Sequence, residues 1–494
     1  MSDNAQHRAP SMLDAVIPVI SLVLMLIASV TLYGADSSYG PNQIALLLAA
    51  GIAAIIGIRN GMRWKQIEDG IISGIAVSLG AMLILLAVGS LIAAWILAGT
   101  VPTLIYYGLI LLHPAIFYPA TCLICAIVGS SIGSSWTVAG TLGIAFIGVA
   151  TALGLSPAVT AGAIISGAYF GDKISPLSDT TNLAPAVAGS ELFSHIRHML
   201  WTTLPSLLLA MILFGIVGIF SHSESDLAIG GEITATLDQQ FRLGWYLLLP
   251  LVLVIWLAAR KFPAFPTIMI GALVGVVFAV IFQPDQVVAL ANNAELSRGT
   301  ALLSGAWTAL ANGYVADTGN AAVDELLSRG GMVSMLNTVW LILCALTFGA
   351  VLEVTGILAT LLEAVLKLVR GTGSLIVTTI LTCIGSNVIA ADQYMSIVLP
   401  GRLYRLEFER RGLAPVNLSR ALEDGATITS PLVPWNTCGA FMAGTLGVPT
   451  LTYLPFCFFN LINPLLAMIY ALAGFRVTRI NGDAEVRDAS RVAS

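Results

Sequence analysis

The sequence predicts an all-α polytopic membrane protein, with about 10–13 transmembrane segments in two repeated halves that carry broken or re-entrant helices. Three observations carry this expectation. The chain is apolar throughout, its apolar stretches recur at membrane-spanning length, and one set of Gly, Ser and Pro motifs occurs twice in the same order.

Of 494 residues, 57% are apolar and 10% charged, and the mean hydropathy is +0.90. A soluble domain carries about 25% charged residues, because Lys and Glu must cover its surface. A soluble multidomain enzyme, a disordered chain and a nucleic-acid binder are thereby excluded. The 27 acidic and 22 basic residues leave a net charge of -5, with no long run of one sign to grip a polyanion. Six cysteines in such a chain do not suggest a disulfide framework. Cys122 and Cys125 read as packing residues on one helix face, not as a redox pair.

The tail over residues 1–11 is polar and lacks a cleavage site, so the apolar stretch from Met12 reads as a retained helix and not a signal peptide. Apolar segments at 12–34, 42–58, 70–98, 102–128, 136–153, 157–170, 199–220, 243–259 and 264–282 fill a first transmembrane half, 12–283. A loop at 284–332 with amphipathic turns (VDELLSRGG) divides the chain. The second half, 333–475, has segments at 333–352, 356–369, 372–399, 432–447 and 449–474. A full span needs about 20 apolar residues, so about ten of these segments cross and the shorter ones are half-helices or re-entrant pieces.

Basic residues cluster at Arg59, Arg63 and Lys65, at Arg197, at Arg260 and Lys261, at Arg402, Arg405, Arg410 and Arg411, and at Arg476 and Arg479. The loops at 34–42, 221–241 and 284–332 are acidic or nearly uncharged. The positive-inside rule puts the basic set, the N-terminus and the 476–494 tail in the cytoplasm, and the other loops outside.

Gly129-Ser130-Ser131, Gly154-Leu155-Ser156-Pro157 and Ser175-Pro176-Leu177 are followed in the second half by Gly385-Ser386-Asn387, Gly412-Leu413-Ala414-Pro415 and Ser430-Pro431-Leu432. These define repeat motifs over 129–189 and 385–444. Repeated halves with Gly/Pro-interrupted apolar segments are the sequence pointer to a transporter's binding site.

Polar residues crowd at the same places. Asp172, Lys173, Ser175, Ser178, Asp179, Thr180, Thr181 and Asn182 lie together in GAYFGDKISPLSDTTNLAPAVAG. One carboxylate at a membrane helix centre costs about 2.5–3.5 kcal/mol, so two within seven residues need a reason. Pro176 cannot continue a helix, which predicts a break near Ile174–Leu177, where freed carbonyls, hydroxyls and carboxylates are hard oxygen ligands for Na+ or a proton. The plainer reading is a polar loop at the membrane surface. The second-half counterpart holds Glu423, Asp424, Thr427, Thr429, Ser430, Asn436 and Thr437 around Pro431 and Pro434. Asn387 and Asp392 form a third group. Asp392 is either a coupling-ion or proton site, or a structural acid paired with an arginine of the 402–411 loop.

Other signals are weaker. Gly129-Ser130-Ser131-Ile132-Gly133 fits the serine-hydrolase pattern G-x-S-x-G, which would make Ser131 the nucleophile of an intramembrane hydrolase. That chemistry needs a partner base, and no His lies in a later apolar span; a close-packed Gly/Ser segment is the simpler reading. His113 is either a proton relay or a packing histidine. His195 and His198 read as a solvated face or a pH sensor. No Walker motif is present, so ATP does not drive the protein directly.

The strings SGAYFGDKISPLSDTTNLAPAVAG, HIRHM, DQYMSIVLPGR, LSRALEDGATITSPL and PWNTCGAFM closely resemble the signature of the NhaC family of sodium/proton antiporters. The similarity runs from about residue 12 to 475. It implies a secondary transporter of the ion transporter superfamily in a prokaryotic inner membrane. Relatives exchange Na+ for H+, and others couple Na+ or H+ to malate, lactate or amino acids.

On that resemblance the expected function is exchange of Na+ for H+ by alternating access, with no enzyme activity and no cofactor. Asp172, Asp179 and Asp392 are expected to bind Na+ or protons in competition, with Thr180, Asn182, Asn387, Thr429, Ser430 and Asn436 completing the oxygen shell. A desolvated carboxylate favours the proton, and a bound cation restores the ionised form. Lys173, Glu423 and Asp424 are charge partners, Lys173 answering Asp172 or Glu423 in the ion-free state. The expected partners are Na+, H+ and the lipid bilayer, with no nucleic acid; a homo-oligomer is left open. The alternative cargo is an organic acid or amino acid, coupled to Na+ or H+.

Overall fold

A computed structural model describes residues 8–480, apart from 35–36, 38, 221–225, 294 and 368. Most of the two expected tails, 1–7 and 481–494, lies outside the described residues. Among the described residues the chain is helical, and its one β-type pairing is an isolated bridge between Leu413 and Arg479. Among the described residues nine helices are long and apolar enough to cross a membrane, or up to eleven when the two bent pairs, Gly231–Gln240 with Trp245–Ala259 and Thr450–Phe456 with Phe458–Ala473, each count as one span.

Polarity is inverted relative to a soluble bundle. The helix Leu192–Phe220 turns Leu204, Leu208 and Ile212 outward at one-turn intervals and buries Thr202, Thr203 and Ser206. Such a helix presents its apolar side to hydrocarbon and its hydroxyls to its neighbours. Glu191 starts it: its carboxylate accepts from the backbone N–H of Phe193 and Ser194 at 2.8 and 2.7 Å, bonds that hold the carboxyl below its ordinary range.

Several expected segments are divided. The stretch 70–98 is two helices, Trp64–Val77 and Leu79–Leu97. The stretch 102–128 breaks after Thr100–Leu111, where Pro114 offers no backbone N–H. The stretch 372–399 also breaks, between Thr372–Ile389 and Gln393–Arg410, although no proline marks the place. Ala391 adopts φ 58 there, and Asp392 caps the next helix by accepting from Met395 N at 3.0 Å. The 284–332 region contains the helices Pro284–Leu290, Arg298–Asn312 and Ala321–Leu327.

The backbone breaks recur at one constant spacing. Left-handed residues Gly133 and Ala391, Gly154 and Gly412, and Gly189 and Gly447 each lie 258 positions apart, as do the helix caps Ser178 and Asn436. This spacing corrects the triplet alignment. Gly154–Pro157 does match Gly412–Pro415, but Pro176 corresponds to Pro434 and not to Pro431, because left-handed residues and N-caps set the breaks.

In each half one break crosses the other through the backbone. Gly133 lies against Leu177 and Ser178, so an added Cβ would come within 2.7 Å of their main-chain atoms. At the equivalent place Ala391 O accepts from Thr437 N at 2.9 Å. Gly133→Ala combines a left-handed penalty of roughly 1–2 kcal/mol with overpacking of about 1–3 kcal/mol. It should lower the melting temperature of the detergent-solubilised protein by several degrees, whereas Ala391→Gly should raise it or leave it unchanged. Equal behaviour of the two variants would contradict this account.

Candidate ion-binding site

The helix Pro157–Ile174 ends at Ser175, and Asp179–Ala188 begins after Ser178. The break predicted from Pro176 is therefore present. Ser178 Oγ caps the second helix by accepting from Thr181 N at 3.4 Å, and Thr181 Oγ1 donates to the carbonyls of Asp172 and Lys173, both at 3.0 Å. Across from it, Ser134 opens the span Ser135–Ala152 by accepting from Thr137 N at 3.2 Å. Asp392 and Asn436 open Gln393–Arg410 and Thr437–Leu446.

These four helix starts surround a cavity of about 540 Å³. Its lining follows the 258-residue spacing: Ser134 and Asp392, Ser135 and Gln393, Trp136 and Tyr394, Asp179 and Thr437, and Thr180 and Cys438 all border it. Thr137, Asp172 and Ser178 complete the polar part from the broken-helix unit of the first half, and Ser78 comes from the start of Leu79–Leu97. Three carboxylates face this space, and among the described residues its lining contains no Lys, Arg or His.

Asp172 is 7% exposed and accepts from Ser135 Oγ at 2.6 Å and Ser135 N at 3.1 Å. Asp392, 3% exposed, accepts from Ser78 Oγ at 3.2 Å and from Met395 N. Among the described residues it makes no ion pair with an arginine, and its hydrogen bonds go to Ser78 and Met395 and not to the 402–411 loop. A second cavity, of about 500 Å³ between Gly70, Gly74, Gly349 and Glu353, also reaches Asp392, which is thus a wall common to both. Asp179 is exposed to the first cavity, beside the buried Thr180.

The remaining expected ligands stand elsewhere. Asn182 is exposed, and its amide donates to Pro176 O and Ser178 O at 3.0 and 2.6 Å, so it fastens the break. Asn387, Thr429, Ser430 and Asn436 form a buried layer behind the cavity wall. Asn387 Nδ2 donates to Ala426 O at 2.6 Å and Thr429 Oγ1 at 3.0 Å, and Asn436 Nδ2 donates to Asn387 Oδ1 at 3.2 Å. Ser430 Oγ donates to Gln393 Oε1 at 2.8 Å, which holds that cavity-lining amide.

Lys173 pairs with Asp424, and not with Asp172 or Glu423 as expected; it also donates to Asn463 Oδ1 at 2.7 Å. Arg420 Nε approaches Asp424 at 4.0 Å, so three fully buried charges form one group. His195 is not solvated: it is buried, with Nδ1 2.8 Å from Ser419 Oγ. His113 caps the turn at Pro114–Ile116. Ser131 is exposed and its hydroxyl donates back to Ile127 O at 2.9 Å, while Gly129 packs against Ala168 and Gly171, which is the close-packing role of that Gly/Ser segment. All six cysteines are free and buried.

The model of the Na+/H+ antiporter family matches residues 167–475, which include the break at Pro176, both breaks of the second half and all three cavity carboxylates. The chain belongs to this family. It is 41% identical over 88% of its length, and 91% of the relative's, to the Na+/H+ antiporter NhaC of Alkalihalophilus pseudofirmus. An uncharacterized Na+/H+ antiporter of Haemophilus influenzae is 36% identical over 97% of this chain and 100% of that one. The malate-2H+/Na+-lactate antiporter of Bacillus subtilis is 38% identical over 94% and 96%. These relatives are transporters, so the hydrolase reading of Ser131 falls away within the family.

Sequence reasoning missed Ser78, Ser134, Ser135, Gln393, Tyr394 and Cys438 as lining residues. The residues after Gly133 (Ser-Ser-Trp-Thr) and those after Ala391 (Asp-Gln-Tyr-Met) share no identity, so the backbone and not the sequence reveals their correspondence. Only Gly marks such a turn openly in a sequence, and Ala391 hides it.

Proposed function

We propose that this chain is a secondary active antiporter that exchanges Na+ for H+ by alternating access, with Asp172, Asp179 and Asp392 as the cavity carboxylates for which the two ions compete. The observation that carries this reading is a cavity bordered by three carboxylates and no basic side chain. Each helix N-terminus contributes about half a positive charge. Four of them offset about two of the three carboxylates, which leaves a deficit suited to one cation. An organic anion would meet like charge there. Na+ would take Asp172, Asp392 and Thr180 as oxygen ligands, with Asn387, Thr429, Ser430 and Asn436 holding the wall.

Ala264, beside Arg260 and Lys261, also borders the cavity. With those bases on the cytoplasmic side, this conformer is open inward in a prokaryotic inner membrane, and the N-terminus is cytoplasmic. Alternation then consists of the two broken-helix units rocking about the cavity they share. A membrane potential of 100 mV acts with about 2.3 kcal/mol on each net charge moved.

The cavity volume favours a second reading. About 540 Å³ is more than a bare ion needs and falls in the range that holds small organic ligands; one relative is named for malate and lactate. Purified protein in proteoliposomes separates the readings. Na+, and not K+, should dequench an internal pH dye with no organic solute present. Flux that appears only after adding malate, lactate or an amino acid would replace the exchange reading with the second one.

A further inference from the structure

Behind the cavity, the segment Glu423–Thr427 forms a wide π-helical turn between Pro415–Leu422 and the second break. Such turns cost hydrogen-bond geometry and concentrate at functional places. Glu423 and Thr427, one turn apart on it, are both fully buried. Among the described residues neither carboxylate oxygen of Glu423 makes a hydrogen bond within normal geometry, and neither does Thr427 Oγ1, the hydroxyl beside that carboxyl. Asn460 leans on the same segment by donating to Ile428 O at 2.8 Å, and its Oδ1 is also unpartnered. An ionised carboxylate buried without donors costs far more than a buried neutral polar group.

Its charged surroundings are uneven. Lys173 and Arg420 bring two cations to Asp424, one anion. Asp172, next to Lys173, is a second anion acting on Glu423, so with Glu423 protonated this buried set is neutral, and with Glu423 ionised it carries one negative charge until a cation reaches Asp172. Of the other ionisable groups, Asp172 from Pro157–Ile174 and Cys383 from Thr372–Ile389 act on Glu423 itself, while His195 from Leu192–Phe220 faces Lys173, and His198 from the same helix and Tyr470 from Phe458–Ala473 face Arg420. Glu423 therefore has two defensible protonation states, where most buried carboxyls have one.

We propose that Glu423 is the proton-loading group of the transport cycle, in a place separate from the cation cavity. The link between the two sites is the adjacent pair Asp172 and Lys173 on one helix. A cation arriving at Asp172 adds positive charge beside Lys173; the O–H bond of Glu423 breaks, its proton passes to water, and the carboxylate restores neutrality around Lys173 and Arg420. Departure of the cation reverses the step. Exchange then works through electrostatic linkage between two sites, and not through two ions displacing each other at one.

This inference rests on the antiport reading, and its test tells the two apart. In proteoliposomes, Glu423→Gln should lose Na+-driven proton flux yet still exchange radioactive Na+ for Na+. Retained proton flux, or loss of both activities in protein that melts like wild type, overturns the inference and leaves the antiport reading intact. Absence of Na+-driven proton flux in wild type defeats the antiport reading itself. An infrared difference measurement on wild type removes any dependence on that variant: adding Na+ should abolish one protonated-carboxyl C=O band, and Thr427→Val should shift that band. A band that ignores both Na+ and Thr427→Val also overturns the inference.

Discussion

Asp172→Asn should reduce Na+-driven proton flux in proteoliposomes to the level of protein-free vesicles. The substitution keeps shape and removes one charge from a cavity whose three carboxylates exceed the helix N-termini by about one charge. Two unit charges 4 Å apart at an effective dielectric of 20 interact by about 4 kcal/mol, or roughly a thousandfold in Na+ affinity. Ser135→Ala gives the graded comparison. Its hydroxyl donates to Asp172 at 2.6 Å, and a hydrogen bond to a charged group contributes about 1.5–3 kcal/mol. That variant should therefore transport with a half-saturating Na+ concentration raised about tenfold or more. Wild-type flux in Asp172→Asn would remove this residue, and the cavity it faces, from the exchange.

The second large effect concerns Lys173 and Asp424. Both are fully buried and paired. Breaking a buried pair by removing one partner costs roughly 3–5 kcal/mol, because the other charge stays behind in a low-dielectric place. The two losses should not be equal. After Lys173→Met, Asp424 keeps Arg420 at 4.0 Å and the Thr202 hydroxyl at 3.3 Å. After Asp424→Asn, two buried cations face each other with Glu423 as the remaining acid. Asp424→Asn should therefore melt at the lower temperature, and the double variant Lys173→Met/Asp424→Asn should recover stability beyond the sum of the single losses. Additive behaviour in this cycle would show that the two charges do not interact.

Much of this architecture is legible from residues alone. Apolar runs give the spans, because hydrocarbon tolerates few charges. Pro176 gives the first break, because a proline nitrogen has no hydrogen to donate. The division at Ala390–Asp392 is not legible in the same way: an alanine carries no mark of a positive φ, and the aspartate there reads as an isolated acid until its capping bond to Met395 is seen. For the same reason Asp392 and Asp172 were found, and Ser135 and Gln393 were not. An intramembrane carboxylate is rare enough to stand out, whereas Ser and Gln draw notice only once the fold sets them beside it. Asn182 shows the opposite case. Its neighbours in the sequence are ligand-like, but it lies outside the cavity lining, and its Nδ2 donates to Pro176 O and Ser178 O.

The 258-residue spacing has one more consequence. Every acid in the cavity has a neutral residue at its twin address: Ser430 for Asp172, Thr437 for Asp179 and Ser134 for Asp392. The scaffold is twofold and the charge on it is not. When such a scaffold swings from one face of the membrane to the other, the two end states are not mirror images, since two acids travel with one half and one with the other. In the proposed exchange, gradients alone would set the equilibrium, and the approach to it is expected to be direction-dependent, as in a rectifier built from matching parts.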